Sequence, residues 1–267
     1  MLLSPYATLL DRVRVFALLA FCGVVLAFLV LPIFVPVPLS VNAEAFFTFP
    51  LAGFSWRWYD EVLNSTQWRE AIWHSLVIAI GATLLSTTLG TLAAVGLNSP
   101  RLPARRAILA ILMAPLVVPV VITAVGAYLF YARLGLASTF TGIILAHAGV
   151  GSPFVVVTVS ASLTHFDDAL FRAALICGAR PLTAFRRVML PLILPGVLSG
   201  AAFAFVGSFD ELVISMFLAS AQQRTLPMQM YVGLREHLSP AITAAATLMM
   251  SLSIVLLIVA DRLRSRR

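Results

Sequence analysis

Long apolar runs separated by short charged clusters set the rhythm of this chain. Runs free of Asp, Glu and Arg cover residues 15–35, 71–97, 107–131, 139–163 and 240–260, and a further run at 191–219 is interrupted only by Asp210 and Glu211. Each meets or exceeds the ~20 residues an α-helix needs to cross a hydrocarbon core of ~30 Å. The pattern therefore predicts an all-α membrane protein with six transmembrane helices. Asn98-Ser99-Pro100 closes the second run with a turn signal. Within the third, Pro115 and Pro119 remove backbone donors, so a kink or a broken helix facing protein or water is expected there.

Composition agrees with that reading. Of 267 residues, 61% are hydrophobic and 11% charged, whereas charged residues make up about a quarter of an ordinary soluble domain. All 18 basic residues are arginine and the net charge is +7. Arginine accumulates in loops that stay on the cytoplasmic side. Thirteen of the 18, including Arg12, Arg14, Arg101, Arg105, Arg106, Arg266 and Arg267, fall in segments that six alternating spans place inside, against five outside. The expected plan is a cytoplasmic N-terminus (1–14), a six-span domain (15–260) and a basic cytoplasmic tail (261–267), in the cytoplasmic membrane. A signal peptide is the competing reading of the N-terminus, but the first apolar run exceeds the ~7–15 residues of a signal core. The positive charge is read as a determinant of topology, not as a nucleic-acid surface. Trp56, Trp58, Tyr59, Trp68 and Trp73 cluster in or beside the external segment 36–70, as an interfacial aromatic belt would. Cys22 and Cys177 suggest neither a disulfide framework nor a metal cluster and are read as small packing residues.

The densest charge between two apolar runs lies in the loop 164–190, which holds Arg172, Arg180, Arg186 and Arg187. Its pattern is helical. Ala173, Ala174 and Gly178 set small residues within about one turn and permit close approach by a partner. Pro181 suits the first turn of a second piece in which Phe185, Val188 and Met189 recur at helical spacing, and Pro191 and Pro195 mark entry to the next span. Two short helices across the inner face are expected.

No P-loop, HExxH, GxSxG or paired-cysteine motif is present, so any hydrolysis that drives transport must come from another subunit. His74, His147, His165 and His237 are dispersed, and His147, well inside a run, reads as an interior hydrogen-bonded side chain. The sequence Gly207-Ser208-Phe209-Asp210-Glu211 is more informative, because membrane-embedded acids are costly and usually face a pathway. Asp210 lies 19 residues past Pro191, roughly 29 Å along a helix, which places it near the external mouth. Adjacent carboxylates point apart on a helix, so one can line a lumen while the other pairs with an arginine or a partner subunit, or both can anchor the helix end in water.

Ala173-Ala174, Gly178 and Val188-x-Leu190-Pro191, at these spacings, resemble the EAA loop of permease subunits in binding-protein-dependent ABC importers. The blocks FDELVISMFLAS, RTLPMQMYVGLRE and SPAITAAATLMM, with FSWRWYDEVL earlier, are similar to the second permease of spermidine/putrescine-type importers. The resemblance runs from the first span to the last. It implies the type I importer permease fold, in which the loop is a coupling helix seated in a groove of the ATPase. Arg172, Ala173, Ala174, Gly178, Ala179, Pro181, Phe185, Leu190 and Pro191 are then the coupling residues, and Ser208, Phe209, Asp210 and Glu211 border the substrate pathway. Arg172 stands where the family usually has Glu, so contacts of that glutamate do not carry over. The implied partners are a homologous second permease, two ATPase subunits that bind the ATP and Mg this chain does not, and a periplasmic solute-binding protein. The implied solutes are polyamines or related amines and opines. A permease for amino-acid-like compounds, sulfate or ferric ion, and a stand-alone carrier or channel, remain the alternatives.

Overall fold

The structure is a computed structural model describing residues 8–47, 50–99, 102–236 and 238–265; Pro100, Arg101, His237, Arg266 and Arg267 lie outside the described residues. Thirteen α-helices are found among them: α1 (Leu9–Phe34), α2 (Pro36–Ser40), α3 (Arg57–Asn64), α4 (Thr66–Leu97), α5 (Arg105–Val117), α6 (Val120–Arg133), α7 (Phe140–Leu163), α8 (Asp168–Ile176), α9 (Pro181–Ala184), α10 (Leu190–Phe209), α11 (Val213–Leu218), α12 (Leu226–Glu236) and α13 (Ala241–Ser265). Five continuous helical stretches are long and apolar enough to cross a membrane, and the pair α5–α6, bent by 106°, makes a sixth if it counts as one span.

Local chemistry explains several boundaries. Ser65 and Thr139 cap α4 and α7 by accepting from the backbone N–H of Trp68 and Gly142. The break between α5 and α6 falls at Val118–Pro119, where Pro119 has extended backbone and no N–H to continue the ladder. This is the interruption expected from Pro115 and Pro119.

One compact unit comprises residues 1–62 and 238–248. In it, Asn42 is fully buried: its side chain donates to the Phe46 carbonyl and its own carbonyl accepts the Trp58 indole N–H at 2.7 Å. Trp58 is thus a core residue, and Trp68, in the other unit, is buried as well. Only Trp56 and Trp73 of the four tryptophans are strongly exposed, so the aromatic belt expected from the cluster is half core. Cys22 and Cys177 are both exposed, not packed.

The second unit, residues 63–237 and 249–267, holds the α4–α7–α10 bundle. Its register follows from close approaches. Gly81 meets Ile144, Ser86 bonds the Ala148 carbonyl, and Gly90 meets Ser152 and Val155, so α4 and α7 run parallel. Gly196 meets Thr158 and Ser162, Gly200 meets Val155, Gly151 meets Ala204, and His147 bonds Ser208, so α7 and α10 run antiparallel. Parallel α4 and α7 require the chain between them to return from one end of the bundle to the other. The bent pair makes that return: α5 packs beside Leu89, Ala93 and Val156 at the far end of α4, and Ala124 of α6 joins Ile78 and Ile143 at the near end. It is therefore one broken span, which makes six candidate spans among the described residues.

Glycine sets how closely these helices approach. A Cβ on Gly200 would lie 2.8 Å from the Val155 Cα, which is backbone and cannot yield. Gly200→Val is expected to destabilise the bundle by more than ~2 kcal/mol, whereas Gly126→Ala, with open space at its Cβ, is expected to be neutral. Thermal unfolding of the purified variants checks both, and equal melting temperatures would contradict the packing described.

Candidate functional site

Two regions carry the residues singled out from sequence. In the first, Asp167 caps α8 by accepting from the Ala169 N–H at 2.8 Å. Its other end closes in a Schellman turn, with Ala179 N–H to the Ala174 carbonyl and Gly178 N–H to the Leu175 carbonyl, and Gly178 at φ +86°. The requirement for glycine at 178 is therefore conformational, although the space above it is also open. Ala179 is half-buried behind the turn. Arg172, Ala173, Gly178 and Pro181 are exposed, whereas Ala174 is half-buried. Phe185 and Leu190 turn inward, joining Phe166 and Phe171 against the cluster of Leu163, Met189 and Ile193. They bind the loop to the bundle and do not face outward.

The second short helix expected in this loop is instead the beginning of a span. The helical path runs without interruption from Pro181 to Phe209, through a widened π-helical turn at Phe185–Met189 in which the Leu190 N–H reaches the Phe185 carbonyl. Pro191 follows at once. It can neither donate to Arg187 nor fit against its carbonyl in an ordinary α-turn, and the wider turn accommodates it. Sequence reading also missed the exposed apolar rim of α8 and α9: Leu170, Ile176 and Leu182 are exposed, Ile176 by 87%. Apolar side chains inside an arginine-rich loop were the available signal.

The second region lies where the fifth run was expected to be one helix. It is broken: α10 ends at Phe209 and α11 begins at Val213. Ser208 and Phe209 are buried, Phe209 stacks on Phe205 at 5.6 Å, Asp210 is exposed and Glu211 is half-buried. Glu211 caps α11, its carboxylate accepting from the Ile214 N–H at 3.0 Å. Among the described residues, no arginine pairs with it. His147 bridges the break, with Nδ1 2.8 Å from the Ser208 hydroxyl and Nε2 3.2 Å from that of Ser215. The Ser215 hydroxyl donates to the Glu211 carbonyl, so its oxygen is left to accept from Nε2–H, and Nδ1 accepts from Ser208. The histidine is thus the interior hydrogen-bonded residue expected.

The same contact fixes the depth of the acidic pair. His147 is seven residues from Phe140, about 10 Å along α7, and Asp210 follows Ser208 by two residues. Asp210 therefore lies about 7 Å short of the Phe140 end of α7, near the expected mouth, and α11 continues from the break to the Ser138 N–H bond with the Leu218 carbonyl. Among Ser208, Phe209, Asp210 and Glu211, only Asp210 is exposed.

If Glu211 acts as a cap, Glu211→Gln keeps the acceptor and should preserve stability, whereas Glu211→Ala should cost about 1 kcal/mol. Melting temperatures of the two variants decide it, and equal losses would show that the charge is what matters.

The chain is similar over most of its length to known transport proteins. Residues 86–267 match the model of the family described as binding-protein-dependent transport system inner membrane component. The chain is 32% identical to the spermidine/putrescine transport system permease protein PotC of Haemophilus influenzae, over 93% of this chain and 96% of that one. It is 35% identical to the putrescine transport system permease protein PotI of Escherichia coli K12, over 84% and 82%. In fold it is similar to a chain of a bacterial ABC transporter that imports the acidic polysaccharide alginate, with a TM-score of 0.72, 17% identity and coverage of 98% and 99%. Six spans, a capped and exposed loop helix, and a family match over most of the chain converge: this polypeptide belongs to the inner-membrane permease components of binding-protein-dependent transport systems.

Proposed function

We propose that this chain is one permease subunit of an ATP-driven importer for polyamines such as spermidine or putrescine. The observation that carries the reading is the similarity to polyamine permeases over most of both chains. An exposed carboxylate at Asp210, at the break that ends α10, supports it, since such a solute is a string of ammonium groups and an acid in an apolar run is costly without a cation to meet.

The assembly that fits has a homologous second permease across the pathway, two ATPase subunits binding ATP and Mg beneath α8, and a periplasmic protein delivering the solute. Both termini are cytoplasmic in this reading, which the thirteen-to-five arginine bias supports. The exposed side of α8, with Arg172, Ala173, Ile176 and Gly178, meets the ATPase, while Phe171 and Phe185 bear on the bundle. Closure of the ATPase pair would displace α8 as a rigid body and tilt the helices packed on it.

Two experiments test this. With Cys22 and Cys177 replaced by Ser, Ala173→Cys should crosslink to a cysteine in the ATPase groove in the assembled importer; no crosslink in any nucleotide state would remove the coupling assignment. Asp210→Asn should lower spermidine uptake about tenfold, the loss expected for a charge-assisted hydrogen bond, with subunit assembly unchanged. Uptake equal to the wild type would sink the role of Asp210.

A further inference from the structure

The face that α7 and α10 share below Asp210 holds a cleft with several polar side chains. This cleft of about 390 Å³ lies between the two helices, and in it Thr158, Ser162, His165 and Ser199 stand among apolar side chains such as Leu192 and Phe203. The crevice of about 230 Å³ between α4, α5 and α7 is walled instead by Leu89, Ile111, Leu112 and Val156. Four polar side chains in one cleft set it apart from that crevice, and a concave site with a few placed polar groups can admit a polar solute.

The hydroxyls have a direction. Thr158 donates to the Phe154 and Val155 carbonyls, and Ser199 donates to the Pro195 carbonyl at 2.8 Å. Their protons are spent on the backbone, so each oxygen retains only lone pairs to offer. Beside the cleft, Nδ1 of His165 lies 3.1 Å from the Ala161 carbonyl and 3.2 Å from the Thr164 hydroxyl. The Thr158 and Ser199 oxygens thus offer acceptors, which suit a primary ammonium because it has only donors. The exposed face of Phe203 adds a surface on which a cation is attracted to the ring.

The cleft is also in line with the acid. Ser199, Phe203 and Asp210 follow one another at spacings of four and seven residues, which keeps them on one face of α10. From Ser199 to Asp210 is about 16 Å at 1.5 Å per residue, a length that an extended polyamine carrying several ammonium groups can bridge in successive steps.

We propose that the α7–α10 cleft is a second, neutral station for the ammonium groups of the solute, on the Leu163 side of Asp210, with the Thr158 and Ser199 oxygens as acceptors. The assignment rests on reading the chain as a polyamine permease. It adds a station that uses uncharged acceptors, which can pass a cation on because they hold it less tightly than a carboxylate does.

The test uses the complete importer, with its ATPases, second permease and binding protein, in proteoliposomes supplied with spermidine. The double variant Thr158→Val, Ser199→Ala should lower ATP-driven uptake about tenfold, while Ser199→Thr, which keeps the acceptor, should stay within about twofold of the wild type. Co-purification of all subunits and unchanged ATP hydrolysis confirm that assembly is intact. Uptake by the double variant equal to that of the wild type overturns the station while leaving the polyamine reading in place. A wild-type importer that moves no spermidine or putrescine overturns both. If the double variant fails to assemble, Ala161→Cys in the background lacking Cys22 and Cys177 reads the same cleft. A cationic methanethiosulfonate should modify it faster than an anionic one, and spermidine should slow that reaction. No modification in any nucleotide state would show that the cleft is closed to water and would sink the proposal.

Discussion

Close backbone approach between α4, α7 and α10 is the constraint on which the rest depends. Lipid is as apolar as leucine, so burying apolar side chains does not drive these helices together, and association relies on packing and on hydrogen bonds between helices. Gly90 against Val155, Gly151 against Ser86, and Gly196 and Gly200 against Thr158 and Val155 supply the packing, and the Ser86 hydroxyl on the Ala148 carbonyl supplies a bond. Because the register makes α4 and α7 parallel, the segment between them has to cross back. It does so as two half-length helices with a proline at the joint. The bend at Pro119 follows from the arrangement of the three helices it serves as much as from the proline itself.

Every interruption of a helix inside a membrane must satisfy the backbone groups it frees. At 210–212 the Glu211 carboxylate takes the Ile214 N–H, the Ser215 hydroxyl takes the Glu211 carbonyl, and His147 ties Ser208 to Ser215. At 185–189 the π turn lets Pro191 enter the helix while the Leu190 N–H still finds a carbonyl. The polar residues of the fifth run therefore divide by task. Ser208, Glu211 and Ser215 hold the break closed, and Asp210 alone stands exposed. Adjacent carboxylates point apart, and here the need for a cap takes Glu211.

The six spans were legible because run length is a direct consequence of bilayer thickness, and a cap residue such as Thr139 or a turn such as Asn98-Ser99 marks an end within a residue or two. Legibility stopped where two causes share one signal. Trp58 and Trp68 have the composition of an interfacial belt, but a buried tryptophan with its N–H satisfied looks the same in sequence. Pro181 signals a helix start correctly, yet nothing local shows that the helix continues through Pro191, since the π turn that allows it has no sequence marker. α12 was invisible because its mixed polarity has neither the apolar run of a span nor a capping box. The partners of His147 lie more than sixty residues away, and only the fold brings them together.

The uninterrupted path from Pro181 to Phe209 decides how a push on the inner face would travel. Had the loop held two independent short helices, a displacement of α8 could dissipate in the joint between the second helix and the span. Instead Phe171 and Phe185 press on the cluster around Met189 and Ile193, in the same helical rod that carries Ser199, Phe203 and, at its tip, Asp210. Beyond Asp210 the rod ends. α11 is held separately, by the Ser138 N–H on the Leu218 carbonyl and by Ile214 and Leu218 in the cluster with Ile78 and Ile143. A rigid tilt of α10 against a fixed α11 concentrates its change of angle at 210–212. In the proposed function, the carboxylate that meets the cation therefore sits at the hinge, and its exposure would change most when the rod moves.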